Sequence, residues 1–176
     1  MIKNRLSNII LIGMSGAGKS TTGRSLAKAM NKGFIDTDLL IQQREGRLLC
    51  EILETLGSMK FLEMENNVIR SLDVTDTVVA TGGSLIYSPY AVEHLKRTGL
   101  FVYLDVPYKE LVSRIGEGND RGIVRFRGET LQKLYFDRKP KYQELADITV
   151  NCTQKAIREI VMAINSHCAK RPSLYS

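Results

Sequence analysis

A chain of 176 residues, 43% hydrophobic and 25% charged, has room for one domain with a substantial core, and it shows neither internal repeat nor low-complexity block. Its net charge of +6 and pI near 9.3 point to an anionic partner, for which nucleotides and acidic metabolites qualify as well as nucleic acid. Cys50, Cys152 and Cys168 are widely spaced without a C-x-x-C pair, and no apolar run is long enough to span a membrane. Disulfide frameworks, zinc modules and membrane spans are therefore set aside, and a cytoplasmic protein is expected. Met1-Ile2-Lys3-Asn4-Arg5 carries the charge of a signal peptide, but the apolar run behind it is too short.

In chain order, Ile9-Ile10-Leu11-Ile12 reads as a strand, and Gly13-Met14-Ser15-Gly16-Ala17-Gly18-Lys19-Ser20 follows it. Thr21 to Met30 then has the spacing of a helix. Strand, G-x-x-x-x-G-K-[ST] and helix together form a phosphate-binding loop. Its glycines let successive N–H groups turn inward around anionic oxygens, and the helix points its unsatisfied N–H groups at the same place. Lys19 adds a cation, and Ser20 offers a hard hydroxyl ligand to magnesium.

Gly33 is read as closing that helix, and Phe34-Ile35-Asp36 as a short strand ending in Asp36-Thr37-Asp38. Helices are predicted over Leu39 to Arg44, Cys50 to Leu56 and Phe61 to Leu72, with Phe61, Met64, Val68 and Leu72 on the buried face of the last. Thr77-Val78-Val79-Ala80 is a β-branched strand that Thr81-Gly82-Gly83-Ser84 terminates. A helix over Tyr90 to Arg97, a strand over Leu100 to Asp105 and a helix over Tyr108 to Ile115 behind Pro107 follow.

From Gly116 to Gly128 glycine and charge dominate, and a polar connection of that length predicts a lid or binding loop. Arg121, Arg125 and Arg127 suit it to closing over phosphate. A helix over Glu129 to Leu145, a strand over Asp147 to Val150 and a helix over Lys155 to His167 complete the series, with a loose tail from about residue 169. Short strands alternating with amphipathic helices predict an α/β domain with a parallel sheet covered by helices.

Ligands of such sheets gather at the carboxyl ends of the strands. Three candidate features fall there: the phosphate loop, the Asp36/Asp38 pair and Gly82-Gly83. Two acids one residue apart can divide labour between a metal and a proton, although Asp38 could equally cap the helix beginning at Leu39. No aromatic-interleaved basic stripe marks a nucleic-acid surface. His94 and His167 read as surface or core histidines, Tyr103 and Tyr142 as packing residues, and Lys139 and Lys141 as a solvated face.

The run from Gly13 through Thr21 and Gly23, then Phe34-Ile35-Asp36-Thr37-Asp38, Phe61 with Glu65, Ala80-Thr81-Gly82-Gly83, Arg121 and Arg138-x-Pro140-x-Tyr142 resembles shikimate kinase, from about Asn8 to Val150. The resemblance implies a P-loop kinase fold with a five-stranded parallel sheet and a small-molecule alcohol acceptor; a monomer is expected, with neither nucleic acid nor membrane as partner.

By that similarity the γ-phosphate of ATP passes to a ring hydroxyl of shikimate. Gly13, Ser15, Gly16, Ala17, Gly18, Lys19, Ser20 and Thr21 hold the nucleotide, with Arg114 against the adenine and Arg121 closing from the lid. Lys19, Asp38 and Arg121 carry the chemistry, Asp38 holding the accepting hydroxyl and taking its proton; Ser20 and Asp36 hold Mg2+. Asp38, Gly82, Gly83 and Arg138 position the acceptor.

Two positions depart from the family pattern. Leu62 stands where the family has an Arg that pairs with the substrate carboxylate, and Ser84 stands where its glycine triplet ends. Loss of a charge-assisted hydrogen bond costs about 1.5–3 kcal/mol, on the order of tenfold to hundredfold in affinity. Helical neighbours of Leu62 supply no replacement cation, and Glu65 is expected to lack its partner. These departures leave two alternatives beside shikimate: another small polyol or ring acid as acceptor, or a catalytically silent nucleotide-binding regulator.

Overall fold

The computed structural model describes residues 6–116, 122–126 and 128–170. Five strands form one parallel sheet: β1 (Asn8–Ile12), β2 (Gly33–Asp36), β3 (Thr77–Ala80), β4 (Gly99–Asp105) and β5 (Ile148–Asn151). Their spatial order is β2-β3-β1-β4-β5. The registers pair Ile10 with Val79 on one side and with Phe101 on the other. Every residue of β1 and β3 is buried, as strands covered by helices on both faces require, whereas β5 at the edge alternates buried and exposed. That explains why the central strands read as continuous apolar runs.

The helices are α1 (Lys19–Met30), α2 (Thr37–Glu45), α3 (Leu49–Arg70), α4 (Pro89–Lys96), α5 (Tyr108–Ile115), α6 (Leu131–Leu145) and α7 (Ile157–Ala169), with a 3-10 turn at Leu85–Tyr87 that the sequence pattern did not reveal. Boundaries shift where caps decide them. Asn31, at φ 52°, ends α1 in place of Gly33, which instead opens β2. Thr130 accepts a hydrogen bond from the Lys133 N–H, so α6 starts at Leu131 and not at Glu129. The Glu159 carboxylate accepts from the Ala156 N–H, and α7 starts later than Lys155.

Cys50–Leu56 and Phe61–Leu72, expected as separate helices, run into one another as α3, with the break confined to Gly57 at φ 76° and ψ 167°. Its buried face also differs from the expected one. Phe61, Val68 and Leu72 are buried as expected, Met64 is only partly so, and Leu62, Glu65 and Ile69 join them.

One large apolar cluster fills both faces of the sheet, and a smaller one gathers Ile41, Ile52, Phe61, Leu62, Val68 and Val124 beside α2 and α3. Tyr103 and Tyr142 stack at 5.3 Å inside the first, in keeping with their packing role. His94 is half-buried, with Nε2 2.7 Å from the Leu72 carbonyl. Lys139 departs from a solvated face, because its Nζ lies 3.0 Å from Asp105 Oδ1. Lys141 is exposed as expected, with its Nζ 4.6 Å over the Tyr87 ring. Among the described residues no helix is long and apolar enough to cross a membrane.

Candidate active site

The order β2-β3-β1 brings the three carboxyl-end features side by side. After β1 the chain turns through Gly13, Gly16 and Gly18 at φ 140°, 80° and 88°, and Gly18 is the residue from which α1 begins. With no side chain capping α1, the loop and helix N–H groups stay available to an anion. Lys19 is 8% exposed, and its Nζ donates to the Gly13 and Met14 carbonyls at 2.8 and 2.7 Å. Burial pulls its pKa down to about 8, against the opposing pull of Asp38 and Asp36.

Asp36 and Asp38 differ in what their side chains meet. Asp36 is the residue that caps α2: its Oδ1 accepts from the Asp38 and Leu39 N–H groups, both at 3.1 Å. The cap that Asp38 could have formed is therefore supplied two residues earlier, and the Asp38 side chain faces the cavity. Burial raises the Asp38 pKa to about 6, with Lys19 opposing the rise and Asp36 adding to it. At neutral pH it is mostly an anion, yet basic enough to accept a proton.

Between the two acids, Thr37 Oγ1 accepts the Gly82 N–H at 3.2 Å and ties the start of α2 to the exit of β3. A methyl group on Gly82 would overlap Glu65 Oε1 and lie 2.7 Å from Asp38 Oδ1; one on Gly83 would lie 3.2 Å from the Ser15 N and Oγ. Gly82 is thus required by the protein's own carboxyls, and Gly83 packs closely against the phosphate loop.

Arg138 is fully buried and donates from Nη1 to the Gly83 carbonyl at 3.0 Å and from Nη2 to the Val124 carbonyl at 2.6 Å. The Tyr142 hydroxyl donates to the same Gly83 oxygen at 2.6 Å. Glu65 is fully buried, but it is not left without a partner as expected: the Ser84 hydroxyl donates to its Oε1 at 2.8 Å. Ser84, one departure from the family pattern, thereby answers the other at Leu62. Thr37, Ser84 and Tyr142 stood in the sequence only as motif members or a departure, and the fold shows the hydrogen bonds each one makes.

A cavity of about 370 Å³ opens over the phosphate loop, lined by Ser15, Gly16, Gly18, Lys19, Ser20, Thr21 and Asp38, with Ile115 and Ile123 as its apolar side. A second, of about 10 Å³, lies beyond Asp38 between Gly82, Gly83, Ser84, Arg138, Leu49, Phe61 and Val124. Ser15, Asp38 and Gly122 line both. The second space holds about one water, so a ring-sized molecule needs Leu49, Val124 or their neighbours to move. Arg114 stands at the loop rim, with Nη1 3.4 Å from the Ala17 carbonyl and Nη2 paired to Glu110. Arg121 and Arg127 lie outside the described residues.

The donor set suits magnesium in a limited way. Ser20 is exposed at the first turn of α1 and Asp36 stands at the end of β2, both hard oxygen donors. Among the described residues no group of three or more acidic, His or Cys side chains forms a metal cage. Such a site fits an ion that keeps waters and shares phosphate oxygens.

A family profile described as shikimate kinase matches residues 15–169. The chain is 38% identical over 160 residues to a shikimate kinase from Mycobacterium avium (strain 104), covering 89% of this chain and 90% of the relative. It is 34% identical over 167 residues to one from Sulfurihydrogenibium sp. (strain YO3AOP1), covering 94% and 100%. Among solved structures, a shikimate kinase from Acinetobacter baumannii in complex with shikimate superimposes with a TM-score of 0.87 at 32% identity, covering 96% of each chain.

Proposed function

This chain belongs to the shikimate kinase family, whose members are phosphotransferases acting on an alcohol, and we propose that it transfers the γ-phosphate of ATP to a ring hydroxyl of shikimate or a compound of similar shape. The observation that carries this reading is the position of Asp38, which lines both the cavity over the phosphate loop and the smaller one beyond it. An alcohol in the small cavity and a phosphate in the large one would meet at that carboxylate.

Phosphoryl transfer asks a protein for in-line positioning and charge stabilisation. The loop N–H groups and Lys19 would hold the β- and γ-phosphates, Lys19 exchanging the Gly13 and Met14 carbonyls for phosphate oxygens. Asp38 would accept the hydroxyl proton as the acceptor oxygen bonds to the γ-phosphorus; the bridging oxygen keeps the electron pair of the broken P–O bond and leaves as ADP. Gly82, Gly83 and Arg138 would fix the ring. Ser20 and Asp36 would hold Mg2+, which supplies charge neutralisation on the phosphates when bound. Arg121 would close over the transferred group. Arg121→Ala is expected to lower turnover far more than ATP affinity, and equal losses in both would reduce it to a binding residue.

The test is acceptor-dependent ADP formation by purified protein with MgATP and shikimate, quinate, gluconate and neutral polyols. Formation of a phosphate monoester on one of them supports the reading. ATP binding without turnover of any acceptor would instead favour a nucleotide-binding regulator.

A further inference from the structure

Arg138 lines the small cavity and is 0% exposed, yet among the described residues no carboxylate lies within salt-bridge distance of it. Its neighbour on α6 shows the usual solution: Lys139 is held by Asp105 at 3.0 Å, and its charge is answered there. A buried guanidinium without a counter-charge is costly, so its surroundings must stabilise it in another way. Nη1 and Nη2 donate to the Gly83 and Val124 carbonyls, and among the described residues Nε has no hydrogen-bond partner.

The further stabilisation comes from Tyr87. The guanidinium carbon of Arg138 lies 5.1 Å from the centroid of the Tyr87 ring, within the range of a cation–π contact. Lys141, three residues further along α6, brings Nζ to 4.6 Å from the same ring, and Phe126 meets it edge-on at 5.7 Å and 79°. Local geometry fixes where the ring stands. Tyr87 ends the 3-10 turn behind the glycine pair, and its N–H donates to the Ser84 carbonyl at 2.9 Å. The stretch from Gly83 to Tyr87 therefore grips Arg138 twice, once by a carbonyl and once by a ring face. A ring face stabilises a cation without accepting its N–H groups or cancelling its charge, as a carboxylate would. Tyr87 lines neither cavity, so what it does for a ligand it does through Arg138.

We propose that Tyr87 is a positioning residue for the acceptor: its ring face holds the Arg138 guanidinium beside Gly83 and leaves the positive charge free to meet an electronegative group of the bound molecule. The inference rests on the phosphotransfer reading above and adds to it a residue that no sequence motif named.

The electrostatic role separates from simple packing when the shape of the ring is kept and the charge of its face is withdrawn. Tyr87→Phe, the same position carrying trifluorophenylalanine or pentafluorophenylalanine, and Tyr87→Leu form such a series. Each is assayed with MgATP and with whichever of shikimate, quinate, gluconate and neutral polyols the wild-type protein phosphorylates fastest. Acceptor KM should stay near the wild-type value in Tyr87→Phe and rise stepwise with fluorination, reaching about tenfold with the pentafluoro ring and in Tyr87→Leu, while MgADP affinity is nearly unchanged. Acceptor KM that is flat across the fluorinated series overturns the proposal. So does an equal loss of MgADP affinity, which makes Tyr87 a packing residue of the fold. The fluorinated rings nearly keep the shape of phenylalanine, so the result stands on them if Tyr87→Leu does not fold. If the wild-type protein binds MgADP and phosphorylates none of these alcohols, the kinase reading fails and takes this proposal with it.

Discussion

At the scale of single residues, the site is a set of charges displaced from their solution behaviour by burial. Asp38 with a pKa near 6 and Lys19 near 8 bracket neutral pH, the acid ionised and the lysine still charged between them. In the free protein kcat/KM for ATP should therefore rise through about pH 6 and fall above about pH 8, the two limbs belonging to the coupled cluster. A flat profile from pH 5 to 9 would remove Asp38 and Lys19 from these roles. Glu65 gives a stability prediction with a definite sign. Its folded pKa, near 8, lies above its ordinary 4.5, so the folded state holds the proton more tightly. That contribution is present below pH 4.5 and is lost as pH rises through about 8. Glu65→Gln, which keeps an acceptor for Ser84, should flatten the decline in Tm between pH 5 and 9. The sequence named Asp36, Asp38 and Glu65, but not which acid caps α2 or which keeps its proton, because both depend on depth of burial.

At the scale of elements, hydrophobic period located every strand, and the errors lie at helix ends and at one kink. Caps are short-range hydrogen bonds: Thr130 and Glu159 each move a boundary by a residue or more, and Asn31 closes α1 in place of Gly33, without changing the periodic pattern. The 3-10 turn at Leu85–Tyr87 escaped because three residues are too few to show a period. The exit of β3 carries the sharpest structural demand. Gly82→Ala forces a methyl group onto Glu65 and toward Asp38, and should destabilise the fold by about 1–3 kcal/mol as an overpacking change. It should also raise acceptor KM with little change in MgADP affinity, since the nucleotide cavity does not include Gly82. Loss of nucleotide affinity equal to the loss for acceptor would mean that the two cavities respond as one.

At the scale of the whole molecule, the sheet order turns three separated stretches of chain into neighbours. Phosphate loop, acid pair and glycine pair were each legible, whereas the order β2-β3-β1-β4-β5 and the small size, about 10 Å³, of the proposed acceptor cavity arise from packing between distant segments. At that size, binding of the proposed acceptor there requires movement around Leu49, Gly122 and Val124. Nucleotide binding should stabilise the fold by mass action, about 2.7 kcal/mol at a hundredfold excess over Kd, or roughly 5–11 °C in Tm for a chain of this size. No shift with millimolar MgADP would contradict a nucleotide site. The most direct test of the central claim, that Asp38 receives a proton where the two cavities meet, is the rate of acceptor-dependent ADP formation by Asp38→Asn alongside its MgADP affinity. The expected result is a rate lowered by about 10²-fold or more with nucleotide affinity nearly unchanged. A variant that turns over its acceptor at the wild-type rate would contradict the account.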